Sequence, residues 1–159
     1  PQRELFVSTA NALLKVGDKE RALKVLDRCQ ESMPENVWPL DAIPLGFSTN
    51  DYMVVNMVSA YFAAGAPDKA AELGAKLGKE LLASAHFYME YYEYAQDEFE
   101  KSCQFLYFLV DELEKGGDKK VSAELKHSLV TLLRAGAEAY DQDYGNEADS
   151  TVAEDTSAK

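Results

Sequence analysis

The sequence predicts an all-α chain of about six helices, folded as antiparallel helical hairpins. Three observations carry that prediction. Apolar residues recur at helical spacing through most of the chain. Glycines punctuate those runs where a helix must stop and the chain turn back. The composition is that of a globular chain, 47% hydrophobic and 11% aromatic over 159 residues. At that length a fold buries roughly 70% of the extended surface. One domain is expected over residues 1–140, followed by a structureless acidic tail over 141–159.

The first helix is expected over Gln2 to Val16, with Leu5, Phe6, Thr9, Leu13 and Val16 at helical spacing. Gly17 ends it by accepting a left-handed backbone. Asp18 caps a second helix with Ala22, Val25, Leu26, Cys29 and Met33 on one side, ending before Pro34. Prolines 34, 39 and 44 forbid regular helix in the next stretch. It is still apolar, with Trp38, Leu40, Ile43, Leu45 and Phe47. An ordered loop packed across the first hairpin is expected. A ligand lip built around Trp38 is the alternative.

Ser48 and Asp51 form a helix-start box. A third helix follows to Ala64, with Met53, Met57, Ala60, Tyr61 and Ala64 inward. Gly65 ends it, and Pro67 suits the first turn of the fourth. That helix is expected to run towards Ala95, burying Ala70, Leu73, Leu77 and Leu81. Gly74 and Gly78 share a face of it and predict close approach of a neighbour. The fifth helix spans about Asp97 to Lys115 and is apolar on several sides around "FLYFLV", so it is expected to be central. The sixth covers Asp118 to Tyr140, with Val121, Leu125, Leu129, Leu132 and Leu133 inward.

The turns resemble one another: "LKVGDKERAL", "FAAGAPDKAA" and "LEKGGDKKVSA". Each sets a Gly between two amphipathic helices, with a small residue five or six positions later. This is the logic of the tetratricopeptide hairpin, and it predicts a right-handed tetratricopeptide-like array. Ala10, Gly17, Ala22, Leu26, Cys29 and Pro34 fit the first unit. Tyr61, Gly65 and Ala70 fit the second, and the third looks degenerate. Gly17 and Gly65 are 48 residues apart, and Gly65 and Gly117 are 52 apart. A regular array would repeat about every 34.

The formal charge is −12, from 28 acidic and 16 basic residues. Such a balance repels phosphate backbones, so no nucleic-acid partner is expected. Apolar runs fall far short of the roughly 18 residues that suggest a membrane span. Cys29 and Cys103 lie in helical patterns and read as buried free thiols. The chain opens at Pro1 with no initiator Met, which reads as a processed or cloned piece.

Catalytic signatures are missing: no HExxH, P-loop or GxSxG occurs. His86 and His127 are isolated from ligand-type neighbours, and no metal or cofactor is expected. Glu90, Glu93, Asp97 and Glu100 would share one face of a continuous helix. They could serve acid–base chemistry, but a solvated acidic face is the simpler reading. "HFYMEYYEYA", residues 86 to 95, holds Phe87, Tyr88, Tyr91, Tyr92 and Tyr94. Its rings could grip a peptide or sugar, or wedge between helices. Asn11, Asn56 and Tyr61 are candidates for a groove lined by the first helix of each hairpin.

"GDKERALKVLDRCQESMP", the Pro-interrupted loop, "YFAAGAPDKAAEL" and "FYMEYYEYAQDEFEKSCQFLYFLVDELEKGG" together suggest a family. Over about residues 3 to 140 the chain resembles the C-terminal region of a Bacteroidetes-type family of large multi-pass membrane proteins. That family, long without assigned function, is grouped with protein O-mannosyltransferase-like glycosyltransferases. The resemblance implies a helical, extracytoplasmic (periplasmic) domain that follows the membrane spans. The family's acidic catalytic residues lie elsewhere, so no catalytic residue carries over. "DST", Asp149 to Thr151, is similar to the short O-glycosylation acceptor sites of such bacteria.

Two readings of function follow. The first is a non-catalytic accessory module of a membrane glycosyltransferase. Its partner would be a protein or peptide, such as the parent chain's own membrane domain or an acceptor polypeptide. The second is a stand-alone tetratricopeptide adaptor in the cytoplasm. A small enzyme using the carboxylates of residues 90 to 100 is a third, weaker alternative. Asn11, Trp38, Asn56, Tyr61, Tyr88, Tyr91 and Tyr92 are the candidate binding residues.

Overall fold

The computed structural model describes residues 2–35, 37, 39, 40 and 50–153, with side chains in the last stretch from Met53 to Asp141. Six helices follow one another: α1 (Gln2–Lys15), α2 (Lys19–Ser32), α3 (Asn50–Ala63), α4 (Pro67–Glu90), α5 (Tyr92–Gly116) and α6 (Lys119–Ala153). No strand occurs among the described residues. The chain is all-helical, as its periodicity predicts.

Three hinges share one backbone solution. Gly17, Gly65 and Gly117 have φ of +81°, +84° and +89°. At each, the residue after the glycine donates its N–H to a carbonyl five positions back: Asp18 to Leu13, Ala66 to Tyr61, and Asp118 to Leu113, each at 2.9 Å. These are the six-to-one bonds of a helix stop with a left-handed terminal residue. Asp18 and Asp118 then cap the following helices, accepting from Arg21 N–H and from Val121 N–H at 3.0 Å. The second hinge uses Pro67 at the start of α4.

The third unit is therefore less degenerate than its sequence suggests. Ala22, Ala70 and Ser122 each stand five residues past their glycine, and all three are buried. Ser122 takes the place of an alanine, so the small volume is kept while the letter changes.

The hairpins stack in two layers. Helix α3 lies against α1 and α5, giving a row of odd helices. Helix α4 packs on α6 behind that row, and each hairpin closes on itself. Among the described residues, hairpin α1–α2 makes no helix–helix contact with α5–α6. The core runs through the middle: Leu26, Tyr61, Leu73, Leu77, Leu106 and Leu113 are fully buried or nearly so. Helix α3, the central one of its layer, buries Val54, Val55 and Val58 besides the predicted Met57, Ala60 and Tyr61.

Close approach is obtained with glycine, as Gly74 and Gly78 predict. A Cβ on Gly74 would lie 2.9 Å from a Leu113 methyl, and one on Gly78 would lie 2.6 Å from a Leu125 methyl. Gly116 and Gly136 have the same use, against the rings of Phe62 and Phe99.

Four differences from the expected elements stand out. Helix α4 stops at Glu90, not near Ala95, and α5 begins at Tyr92 with a kink at Ala95. Turning early lets Tyr92 bury its ring edge-on against Phe99, with centroids 5.6 Å apart. Helix α1 buries Arg3, Val7 and Ala10, while Leu5 and Val16 face solvent. Leu133 is exposed instead of inward. Helix α6 continues to Ala153, where the sequence suggested a tail from residue 141. Propagating an existing helix needs far less than nucleating one.

The start of the loop after α2 is docked. Leu40 is buried, and its N–H meets Glu80 Oε2 at 2.8 Å. Arg3 Nη1 donates to the Pro39 carbonyl at 2.8 Å. Trp38 and Ser48 lie outside the described residues, as do positions 154–159.

Candidate functional site: an aromatic, acidic corner

Where α4 gives way to α5, the chain turns without glycine. Tyr91 caps α4 with φ −120° and ψ 35°, and its carbonyl accepts from Tyr94 N–H and Ala95 N–H at 2.9 Å. This turn sorts the rings of "HFYMEYYEYA" into two sets. Tyr92 goes inside, and Tyr88 packs against the core while half-buried. Phe87, Tyr91 and Tyr94 go outside, Tyr94 reaching 83% exposure. Phe87 and Tyr91 lean on one another with centroids 5.2 Å apart and planes at 49°. Beneath them Gly136 lets α6 come close to Phe99 and Met89, which fixes the corner to the bundle.

The corner is acidic. Glu90, Glu93, Asp97 and Glu100 are all exposed, and no Lys or Arg occurs between Lys79 and Lys101. The helix break separates Glu90 on α4 from the other three on α5. The single helical face expected for these four carboxylates is therefore not formed. His86, whose ring Nδ1 lies 2.7 Å from the Leu82 carbonyl, is tied to its own helix. Among the described residues no group of three or more His, Cys, Asp or Glu is placed to hold a metal ion.

The other candidates are dispersed. Asn11 is exposed on α1, and Asn56 is half-buried on α3. Tyr61 is interior. Its hydroxyl donates to Asp27 Oδ1 at 3.1 Å and accepts from Gln30 Nε2 at 3.2 Å. Asp27 is held in turn by Lys69 at 2.7 Å. Burial pushes the Tyr61 phenol well above its ordinary range. Tyr61 therefore pins α3 to α2, and Tyr92 is likewise interior. Both Cys29 and Cys103 are free and buried.

A second surface feature was not visible in the sequence. A groove of about 660 Å3 opens along α5 and α6, lined by Gln104, Tyr107, Phe108, Leu129 and Leu133 among others. The run "FLYFLV" is apolar on several sides and predicts a central helix, and within it Tyr107 and Phe108 look outward. Two adjacent aromatics in a run that must bury one face and expose another were the available signal.

Fold and site together define a class: an array of glycine-hinged helical hairpins with an aromatic, acidic corner. No family model matches the chain, and no curated protein or solved structure shows significant similarity to it. No described helix is long and apolar enough to cross a membrane.

Proposed function

We propose that this chain is a non-catalytic protein-interaction module that holds a cationic segment of a partner polypeptide at the α4–α5 corner. The observation that supports this reading most is the exposure of Phe87, Tyr91 and Tyr94 beside Glu90, Glu93 and Asp97. Ring faces attract ammonium and guanidinium groups, and carboxylates add the opposite charge. The chain's −12 charge steers such a segment inward. Reading the hairpins as a right-handed tetratricopeptide-like array belongs to this proposal. So does the wider setting drawn from the resemblance: an extracytoplasmic C-terminal domain of a membrane O-mannosyltransferase-like glycosyltransferase. In that setting the partner is an acceptor polypeptide or the parent's own membrane domain. A stand-alone adaptor would use the same corner.

Titration with an octalysine peptide, followed by aromatic NMR signals, tests it. Shifts concentrated on Phe87, Tyr91 and Tyr94 are expected, weakening with salt. Tyr91→Ala and Tyr94→Ala should each loosen binding several-fold. Signals from Tyr88 to Tyr94 that stay unmoved, or an octaglutamate peptide that binds equally, overturn the reading.

A further inference from the structure

The groove of about 660 Å3 between α5 and α6 has a buried apolar floor and an exposed apolar rim. Phe99, Cys103 and Leu129 form the floor, at 3%, 4% and 5% exposure. Tyr107, Phe108 and Leu133 form the rim, at 62%, 36% and 51%. Large apolar side chains gathered along one groove and left open to water mark an interaction surface. The volume falls within the range of binding clefts, about 300–1,000 Å3.

The two ends of the groove differ. Helices α5 and α6 run antiparallel, with Gly136 beside Phe99 at one end and Lys126 joined to Glu114 at 2.9 Å beyond the other. The Lys126–Glu114 pair leaves its own end with matched charge. At the Phe99 end Asp97 and Glu100 line the groove, with Lys101 and Gln104 following on the same side of α5. Two carboxylates there face one ammonium. Glu100 takes its hydrogen bond from the neutral amide of Gln96 at 2.9 Å, so its charge is kept. Asp97 also belongs to the aromatic corner. Corner and groove therefore meet at this residue, and the acidic end of the groove continues into Glu93 and Glu90.

The apolar floor offers little to the N–H and C=O groups of an extended chain. A helix satisfies its own, and its side-chain ridges fit between two others. From Asp97 to Phe108 the groove follows α5 for about 16 Å, or about three turns.

Resting on the corner as the seat of a cationic segment, we infer that the same partner continues as an amphipathic helix of about three turns, its apolar face on the α5–α6 groove and its basic residues at the Asp97–Glu100 end. The corner supplies charge and the groove supplies apolar burial. Salt weakens the first and leaves the second.

Two peptides test this: octalysine, and a peptide in which four lysines lead into an amphipathic helix of about twelve Leu, Ala and Gln residues. Fluorescence anisotropy should show the second binding at least about ten-fold tighter. It should move the NMR signals of Tyr107, Phe108 and Leu133, which octalysine leaves in place. Tyr107→Ser/Leu133→Ser should abolish the gain and leave octalysine binding as in wild type. Both positions are exposed, and circular dichroism checks the fold. If the double variant unfolds, Leu133→Ser alone replaces it. Octalysine binding at the corner with no gain from the helix overturns the inference and leaves the corner reading standing. A helix peptide that binds equally with its lysines replaced by Gln also overturns it, since corner and groove would then not act together. Octalysine that moves no corner ring overturns the corner reading and the inference with it. A wild type whose mass doubles between about 10 μM and 1 mM, with Leu133→Ser abolishing the doubling, puts a second copy in the groove and overturns the inference alone.

Discussion

Leu125 of α6 lies directly over Gly78 of α4, its methyl carbons 2.6 and 2.7 Å from where a Cβ would stand. The contact sets the distance between the two even helices. Gly78→Val gains a little helix propensity, a few tenths of a kcal/mol. It overpacks a buried contact at about 1–3 kcal/mol, so the loss wins. Urea unfolding should show a net loss of about 2 kcal/mol. Combining it with Leu125→Ala should cost less than the sum of the two changes, since the second makes room for the first.

Gly65 fails for a different reason. Nothing lies within 4 Å of a Cβ there, but φ is +84°. Gly65→Ala is therefore a backbone effect, worth about 1–2 kcal/mol of destabilisation. Thermal melts should show the loss, and no substitution of a neighbouring side chain should relieve it. Gly78→Val is relieved by a neighbour, which separates the two uses of glycine in this fold.

Alkali should weaken the protein. Burial raises both thiols from 9.0 to about 11 and lifts the Tyr61 phenol above 10.0. The unfolded chain loses these protons first, so above pH 9 the folded state binds more of them. This contribution is complete below about pH 9. The thiol part is lost as pH rises from 9 to about 11, and the Tyr61 part from 10 upward. Urea midpoints at pH 7, 9 and 10.5 should fall in that order. Cys29→Ala/Cys103→Ala should flatten the slope. A thiol reagent at pH 8 should label the native protein far more slowly than the unfolded chain.

The docked loop gives a local prediction. Arg3 and Glu80 hold Pro39 and Leu40 through charge-assisted bonds of 2.8 Å each. Removing either partner costs about 1.5–3 kcal/mol. Arg3→Ala and Glu80→Ala should each lower stability by that order. Glu80→Ala should also abolish hydrogen-exchange protection at the Leu40 amide while that at Leu106 follows only the global change.

The hinges and the buried faces of α2 and α4 were legible in the sequence, because glycine, cap and apolar period agree there. Leu26, Leu73 and Leu77 needed nothing further. The terminal helices were harder. In α1 the stripe of Leu5, Thr9 and Val16 has the right spacing, but periodicity cannot say whether a helix stands in front of it. The buried face holds Arg3, whose guanidinium spends its hydrogen bonding on the loop. Leu133 misleads in the same way on α6. At the corner, aromatic richness was plain, but which of Tyr91 and Tyr92 turns inward depends on a helix break that no Gly or Pro marks. Tyr61 is a groove candidate by its place on the first helix of a hairpin, but its hydroxyl needs a partner that the sequence does not name. Asp27 and Gln30 of another helix supply it.

Among the described residues the helices of the two outer hairpins make no contact with one another. Tension applied at the two ends would therefore not meet one common lock. An outer hairpin could peel away while the opposite one stayed closed, since each leans only on the middle pair. The α1–α2 hairpin, residues 2–32, would release roughly 100 Å of chain as it gave way. Such a chain would yield under load as a staircase, not as a single rupture.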